Sequence, residues 1–258
     1  MEDEPSGKRA FQLVSLANRA WILSLSGESQ EAIAPITSKL LKFYGEYLSN
    51  NYNEKEKAYL DAIEAFALRR LFLVEKSEEK YKSAIKVIPD IAMWHFELGR
   101  VVGGSNPVLE PHKKTETKIP HYKMALQLKP DYVRCMVTLI DCYLRVGNVK
   151  DARVVMNHLE QYDTSHIATA ICVKAFFYNR LNEYDRALKI LFEAEGLDHS
   201  NIYKDIAFTY ILKSRSKSTS PLERNNFLKD ALTYVEKCLS KHPSSYMVSQ
   251  LNLKFFVN

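Results

Sequence analysis

Asn179–Ser200 reads NRLNEYDRALKILFEAEGLDHS: a turn, a small residue, then apolar side chains at helical spacing. A related pattern, RVGNVKDARVVMNHLEQYDTS, stands one step earlier at Arg145–Ser165. Each segment closes on a polar boundary, Thr164 and His199, and related boundaries lie at Pro89, Pro130 and Pro243. Successive boundaries are 41, 34, 35 and 44 residues apart. The two longer steps carry the insertions GGSNPVLEPHKKTET (103–117) and KSRSKSTSPLERNN (213–226). A period of this length is that of a helical hairpin repeated along the chain.

Small residues keep phase with the boundaries. Ala84, Ala125, Leu159, Ala194 and Cys238 stand five positions before them, and Ser77, Ala152, Ala187 and Ala231 open the second helices. In the first helices Gly99, Ala175 and Ala207 occupy the places where two helices must approach closely. The spacing predicts an all-α helical superhelix, a solenoid of about five helical pairs in one domain over 11–258, with 1–10 a disordered N-terminus. Phe11–Ser26 and Gln30–Leu48 are expected to form a first pair that turns at Gly27, with its second helix kinked by Pro35. The C-terminal SYMVSQLNLKFFVN is expected to pack on the last pair as a capping helix.

Composition agrees. Over 258 residues, 46% are hydrophobic, with only 8 glycines and 9 prolines, which favours long helices. The net charge of +5 permits an anionic partner without requiring one. Cys135, Cys142, Cys172 and Cys238 form no CxxC pair, so a reduced, intracellular and cytoplasmic protein is expected. MEDEPSGKR at the start is no signal peptide, and no apolar run reaches membrane-spanning length.

Counting one position, or one turn, from Ala20, Ala65, Gly99, Ile140, Ala175 and Ala207 picks out the side chains expected to face the groove. They are Trp21, Phe66, Arg70, Arg100, Arg134, Arg145, Phe176, Arg180 and Lys204, with Asp141 and Asp205 as the nearby acids. Arginines suit phosphates and aromatics suit bases, so the set points to single-stranded RNA. Each member has a plainer reading beside this, as a core aromatic or a solvated charge.

The pattern of phased small residues resembles the tetratricopeptide repeat. LVSLANRAWILSLSG (Leu13–Gly27), AFALRRLFLVEKSEEKYKSAIKVIPD (from Ala65), PDYVRCMVTLIDCYLRVGN (from Pro130) and KAFFYNRLNEYDRALKILFEAEGL (from Lys174) further resemble the interferon-induced proteins with tetratricopeptide repeats, which bind the 5′ ends of foreign RNA. The resemblance implies that Phe66 stacks on the RNA 5′ end or cap and that Arg70 meets the terminal phosphates. It extends to the insertion at 213–226. It departs from the family where a pocket arginine falls near Gly104, where Cys172 replaces a basic residue, and where Lys204 and Asp205 stand in for a polar pair. The chain aligns from the family's second repeat and without its C-terminal third. The resemblance implies a part in antiviral innate immunity.

The competing function is a protein-interaction scaffold that takes a peptide, a partner helix or a related repeat protein. The Asn–Lys pattern of chaperone-tail binders does not recur. No GxxxxGK[ST], HExxH or GxSxG motif is present, so no enzyme, catalytic residue or cofactor is predicted. The seven histidines form no i,i+4 pair with an acid that would make a metal site; His112 and His121 are expected to flank a loop, and His199 and His242 to sit at boundaries where a polar cap belongs.

Overall fold

The computed structural model describes residues 53–104 and 109–241, with Ser15, Pro35, Ser38, Lys39 and Lys42 as isolated helical positions. The expected first pair with Trp21, apart from those positions, lies outside the described residues. So do residues 1–10, His242, Pro243 and the expected capping helix. Ten α-helices and one 3₁₀ turn, with no strand, make up the described residues. The chain divides into two compact units between Asp131 and Tyr132.

In the first unit α1 (Glu54–Arg70) packs on α2 (Val74–Val87), and α3 (Ala92–Val101) on α4 (Pro111–Leu128). In the second, α5 (Val133–Arg145) pairs with α6 (Val149–Leu159), α7 (Ala168–Arg180) with α8 (Tyr184–Glu193), and α9 (Ser200–Ser214) with α10 (Pro221–Lys241). There the first helices also touch in series, α5 on α7 and α7 on α9. That is the stacking the small residues require. Ala65, Ala84, Ala125, Ala152, Ala175, Ala187 and Ala207 are wholly buried, as are Ser77 and Leu159. Ser77 also donates its hydroxyl to Ala65 O at 2.7 Å, tying α2 to α1. At Gly99 a Cβ would stand 2.6 Å from the buried Tyr122 ring.

Three hairpin turns share one geometry. α1, α5 and α7 end on Arg70, Arg145 and Arg180. Two residues later Phe72, Gly147 and Asn182 adopt φ of 61°, 76° and 60°. The next amide then donates back to the helix, Leu73 N to Leu68 O, Asn148 N to Tyr143 O and Glu183 N to Tyr178 O. This is the Schellman closure, and glycine or asparagine is its usual left-handed residue. Phe72 is the exception, a bulky side chain held at positive φ and 89% exposed.

Helix starts have local causes too. Asn53 and Glu56 exchange backbone bonds of 2.9 Å in a capping box. His199 Nδ1 accepts from Asn201 N at 3.2 Å, the boundary cap its position predicts. Both insertions are shorter as loops than the sequence suggests. Pro111 stands at the first turn of α4, where its fixed φ favours helix, so 111–117 is helical. His112 and His121 consequently lie on one helix rather than either side of a loop. Ser220 and Glu223 cap α10 reciprocally, Ser220 N to Glu223 Oε2 at 2.9 Å and Glu223 N to Ser220 Oγ at 3.4 Å, which leaves 215–220 as the connection.

Candidate functional site

The residues of the first unit expected to face a groove lie on α1 and α3. Phe66 follows the buried Ala65 and is 44% exposed. The Arg69 and Arg70 guanidiniums stand 5.3 and 5.5 Å from its ring centroid. Arg69 is committed elsewhere as well, its Nε 3.0 Å from the Glu97 carboxylate. Arg100 holds the other oxygen of Glu97 at 3.0 Å. Glu97 is buried, and two guanidiniums offset the cost of desolvating its charge. Arg70 is exposed and has no carboxylate partner among the described residues. It ends α1, where a cation also meets the negative end of the helix dipole.

In the second unit α5, α7 and α9 enclose a concavity of about 410 Å³. It brings together Arg145, Phe176 and Lys204 of the expected set with both acids, Asp141 and Asp205. Each cation meets one of them. Arg145 Nε lies 2.7 Å from Asp141 across one helical turn, and Lys204 Nζ lies 3.5 Å from Asp205. Lys204 also reaches Asn201 Oδ1 at 3.3 Å. Burial, chiefly, pushes the Asp205 carboxyl above the ordinary carboxylate range, against the Lys204 charge and the Cys172 thiol that favour its ionised form. The nearby Asp141 charge pushes it further up. The Cys172 thiol is itself raised by burial and by Asp205.

Arg180 lies outside this lining. Its Nη2 donates to Leu144 O at 2.8 Å, near the end of α5, and its guanidinium stands 5.5 Å from the Phe176 centroid. Arg134 is exposed on the first turn of α5, with Thr138 Oγ1 donating to its carbonyl at 2.8 Å.

Sequence reasoning missed two residues here. Phe208 follows Ala207 just as Phe176 follows Ala175 and Phe66 follows Ala65, so the signal was available. Asn179, one turn after Ala175, is 6% exposed and lines the concavity. Its Nδ2 donates to Thr209 Oγ1 at 2.8 Å, and Thr209 gives its own proton to Asp205 O at 2.7 Å. That chain fixes which way the amide faces and leaves Asn179 Oδ1 with no donor. Among the described residues no group of three or more His, Cys, Asp or Glu is placed to hold a metal, and no helix is long and apolar enough to cross a membrane.

No protein-family model matches the sequence, and no curated protein matches it either. Solved structures do match. Human IFIT1, as a dimer with m7Gppp-AAAA, aligns with a TM-score of 0.66 at 18% identity, covering 91% of this chain and 54% of that one. A second human IFIT1 dimer, with PPP-AAAA, gives 0.64 at 17% identity. This chain thus spans about half the length of the IFIT1 chain. MamA from Desulfovibrio magneticus RS-1 aligns with a TM-score of 0.56 at 13% identity, over 75% of this chain and 99% of its own. YrrB, described as a TPR protein with an unusual peptide-binding site, gives 0.52 at 15% identity, over 77% of this chain and 92% of its own. The repeated hairpins, their phased small residues and these likenesses together make this an all-α chain with the tetratricopeptide-repeat fold, resembling IFIT1 over most of its length.

Proposed function

We propose that the chain is a non-catalytic binding protein whose first helices take single-stranded RNA. The observation that carries this reading is the Phe66–Arg70 pair: a half-exposed aromatic side chain beside an exposed guanidinium with no carboxylate partner among the described residues. Bases stack on such rings without regard to sequence, and a free guanidinium grips phosphate in two-pronged fashion. The likeness in fold to IFIT1, solved with PPP-AAAA and with m7Gppp-AAAA, supports the same reading and extends it to the RNA 5′ end. The family resemblance of the sequence extends it to a cytoplasmic part in antiviral innate immunity.

The expected contacts are unequal. Arg70 and Arg180 form no ion pair with a carboxylate among the described residues, whereas Arg100, Arg145 and Lys204 must each leave one before meeting a phosphate. Phe66 and Arg70 are therefore assigned the largest share, with Phe176 a second stacking face. Arg70→Glu is expected to remove most RNA affinity in fluorescence anisotropy, and the affinity of the unaltered chain should fall steeply with salt. Unchanged binding by Arg70→Glu would take this cluster out of the site.

A second reading, a scaffold for a partner protein, is favoured by the paired charges of the second unit's concavity, which present as much carboxylate as cation to a ligand.

A further inference from the structure

We propose that the concavity lined by α5, α7 and α9 is a subsite for a basic side chain, lysine or arginine, on an extended segment of a partner protein. This rests on the scaffold reading and stands apart from RNA binding by the first unit.

Three independent features lead to it. The first is the supply of acceptors. Asp141 from α5 and Asp205 from α9 both line the concavity, close enough for one charge to act on the other. A phosphate entering there would face two carboxylates beside the Arg145 and Lys204 cations paired with them, whereas an ammonium or guanidinium that displaces those cations meets the carboxylates directly. The second is Asn179. Its amide is locked by the Thr209 hydroxyl, so its unpartnered face is an acceptor and not a donor. A buried acceptor without a donor is costly, and a ligand N–H placed on it recovers that cost. The third is the wall. Val137, Val173, Phe176 and Phe208 supply apolar and aromatic surface for the methylene stem of a long basic side chain, and a ring face for its charged end.

The chain's own cations already show the site's preference, and neither closes it. Arg145 has a 61% exposed side chain and rests on Asp141, while Lys204 stands 3.5 Å from Asp205, long for a direct contact. Both can turn outward when a ligand cation takes their place. The sign of their effect is therefore diagnostic. Removing Arg145 frees Asp141 and strengthens binding of a basic ligand, but weakens binding of an anion.

The test uses the full chain and fluorescein-labelled nine-residue Gly/Ser peptides with a central arginine, citrulline or glutamate. Citrulline keeps the shape of arginine and removes its charge. The arginine peptide is expected to bind, with the citrulline and glutamate peptides about tenfold or more weaker. Asp205→Asn should weaken the arginine peptide by a similar factor, and Arg145→Gln should tighten it. The exposed Arg145 side chain makes that variant safe for folding, so the sign remains readable even where Asp205→Asn fails to fold. No binding by any of the three peptides overturns the scaffold reading along with the subsite. Equal binding by all three, or weaker arginine-peptide binding by Arg145→Gln, overturns the subsite alone. An RNA oligomer whose binding Arg145→Gln weakens, while the arginine peptide does not bind, assigns the concavity to anions and overturns it too.

Discussion

Gly99→Ala tests the packing logic on which the fold rests. The new methyl carbon would lie 2.6, 2.9 and 3.0 Å from three atoms of the Tyr122 ring. Tyr122 is 2% exposed and packs at 5.7 Å on Phe96, which is 1% exposed, so the ring has little room to withdraw. Overpacking a core by one carbon costs about 1–3 kcal/mol, and contacts this short place Gly99 in the upper half of that span. Alanine recovers about 1 kcal/mol through its better helix propensity. The net loss is about 1–2 kcal/mol, or a Tm lowered by roughly 2–8 °C for a chain of this size. Gly196→Ala is the matched control. Nothing lies within 4 Å of its added carbon, so the Tm should hold or rise slightly. Thermal melts followed by circular dichroism compare the two. A Gly99→Ala variant as stable as the Gly196→Ala variant would refute the claim that α3 and α4 meet through a position only glycine fits.

Asn53→Ala removes one half of the capping box at the start of α1 and should cost about 1 kcal/mol in the same melts. Phe72→Asn replaces an exposed bulky residue at φ 61° with one that tolerates this conformation, so a small rise in Tm is expected. Asp205 carries a raised carboxyl in the folded chain, so its contribution to stability falls as pH rises from the ordinary carboxylate range through the raised value. Melts of Asp205→Asn from acid to neutral pH should lack that decline, and an identical pH profile would show that Asp205 is not so perturbed. Phe66→Ala should weaken RNA binding by about fivefold or more, with little change in Tm because the ring is 44% exposed.

The hairpin architecture was legible because close helix approach demands small side chains at fixed intervals, and Ala84, Ala125, Ala152, Ala175, Ala187 and Ala207 are all fully buried. The insertions were read as longer loops because polar, lysine- and serine-rich sequence resembles a connection. Pro111 and the Ser220–Glu223 cap, both local signals, start helices within them. The candidate site was legible one side chain at a time but not in its charge balance. The Asp141–Arg145 and Glu97–Arg100 pairs stand four and three residues apart on their helices, so they were open to sequence reasoning. The Arg69–Glu97 pair and the bond from Asn179 to Thr209 were not, because each joins separate helices and depends on how these pack. The same holds for Arg180, whose bond to Leu144 O spans 36 residues.

The central claim, RNA binding by the first helices, is tested most directly by fluorescence anisotropy with one short single-stranded RNA. It would be prepared with a 5′-triphosphate and with a 5′-hydroxyl and titrated at two salt concentrations. The account predicts salt-sensitive binding of both, tighter for the triphosphate, because Arg70 offers an exposed guanidinium beside the Phe66 ring. Absence of binding by either RNA at physiological salt would contradict it.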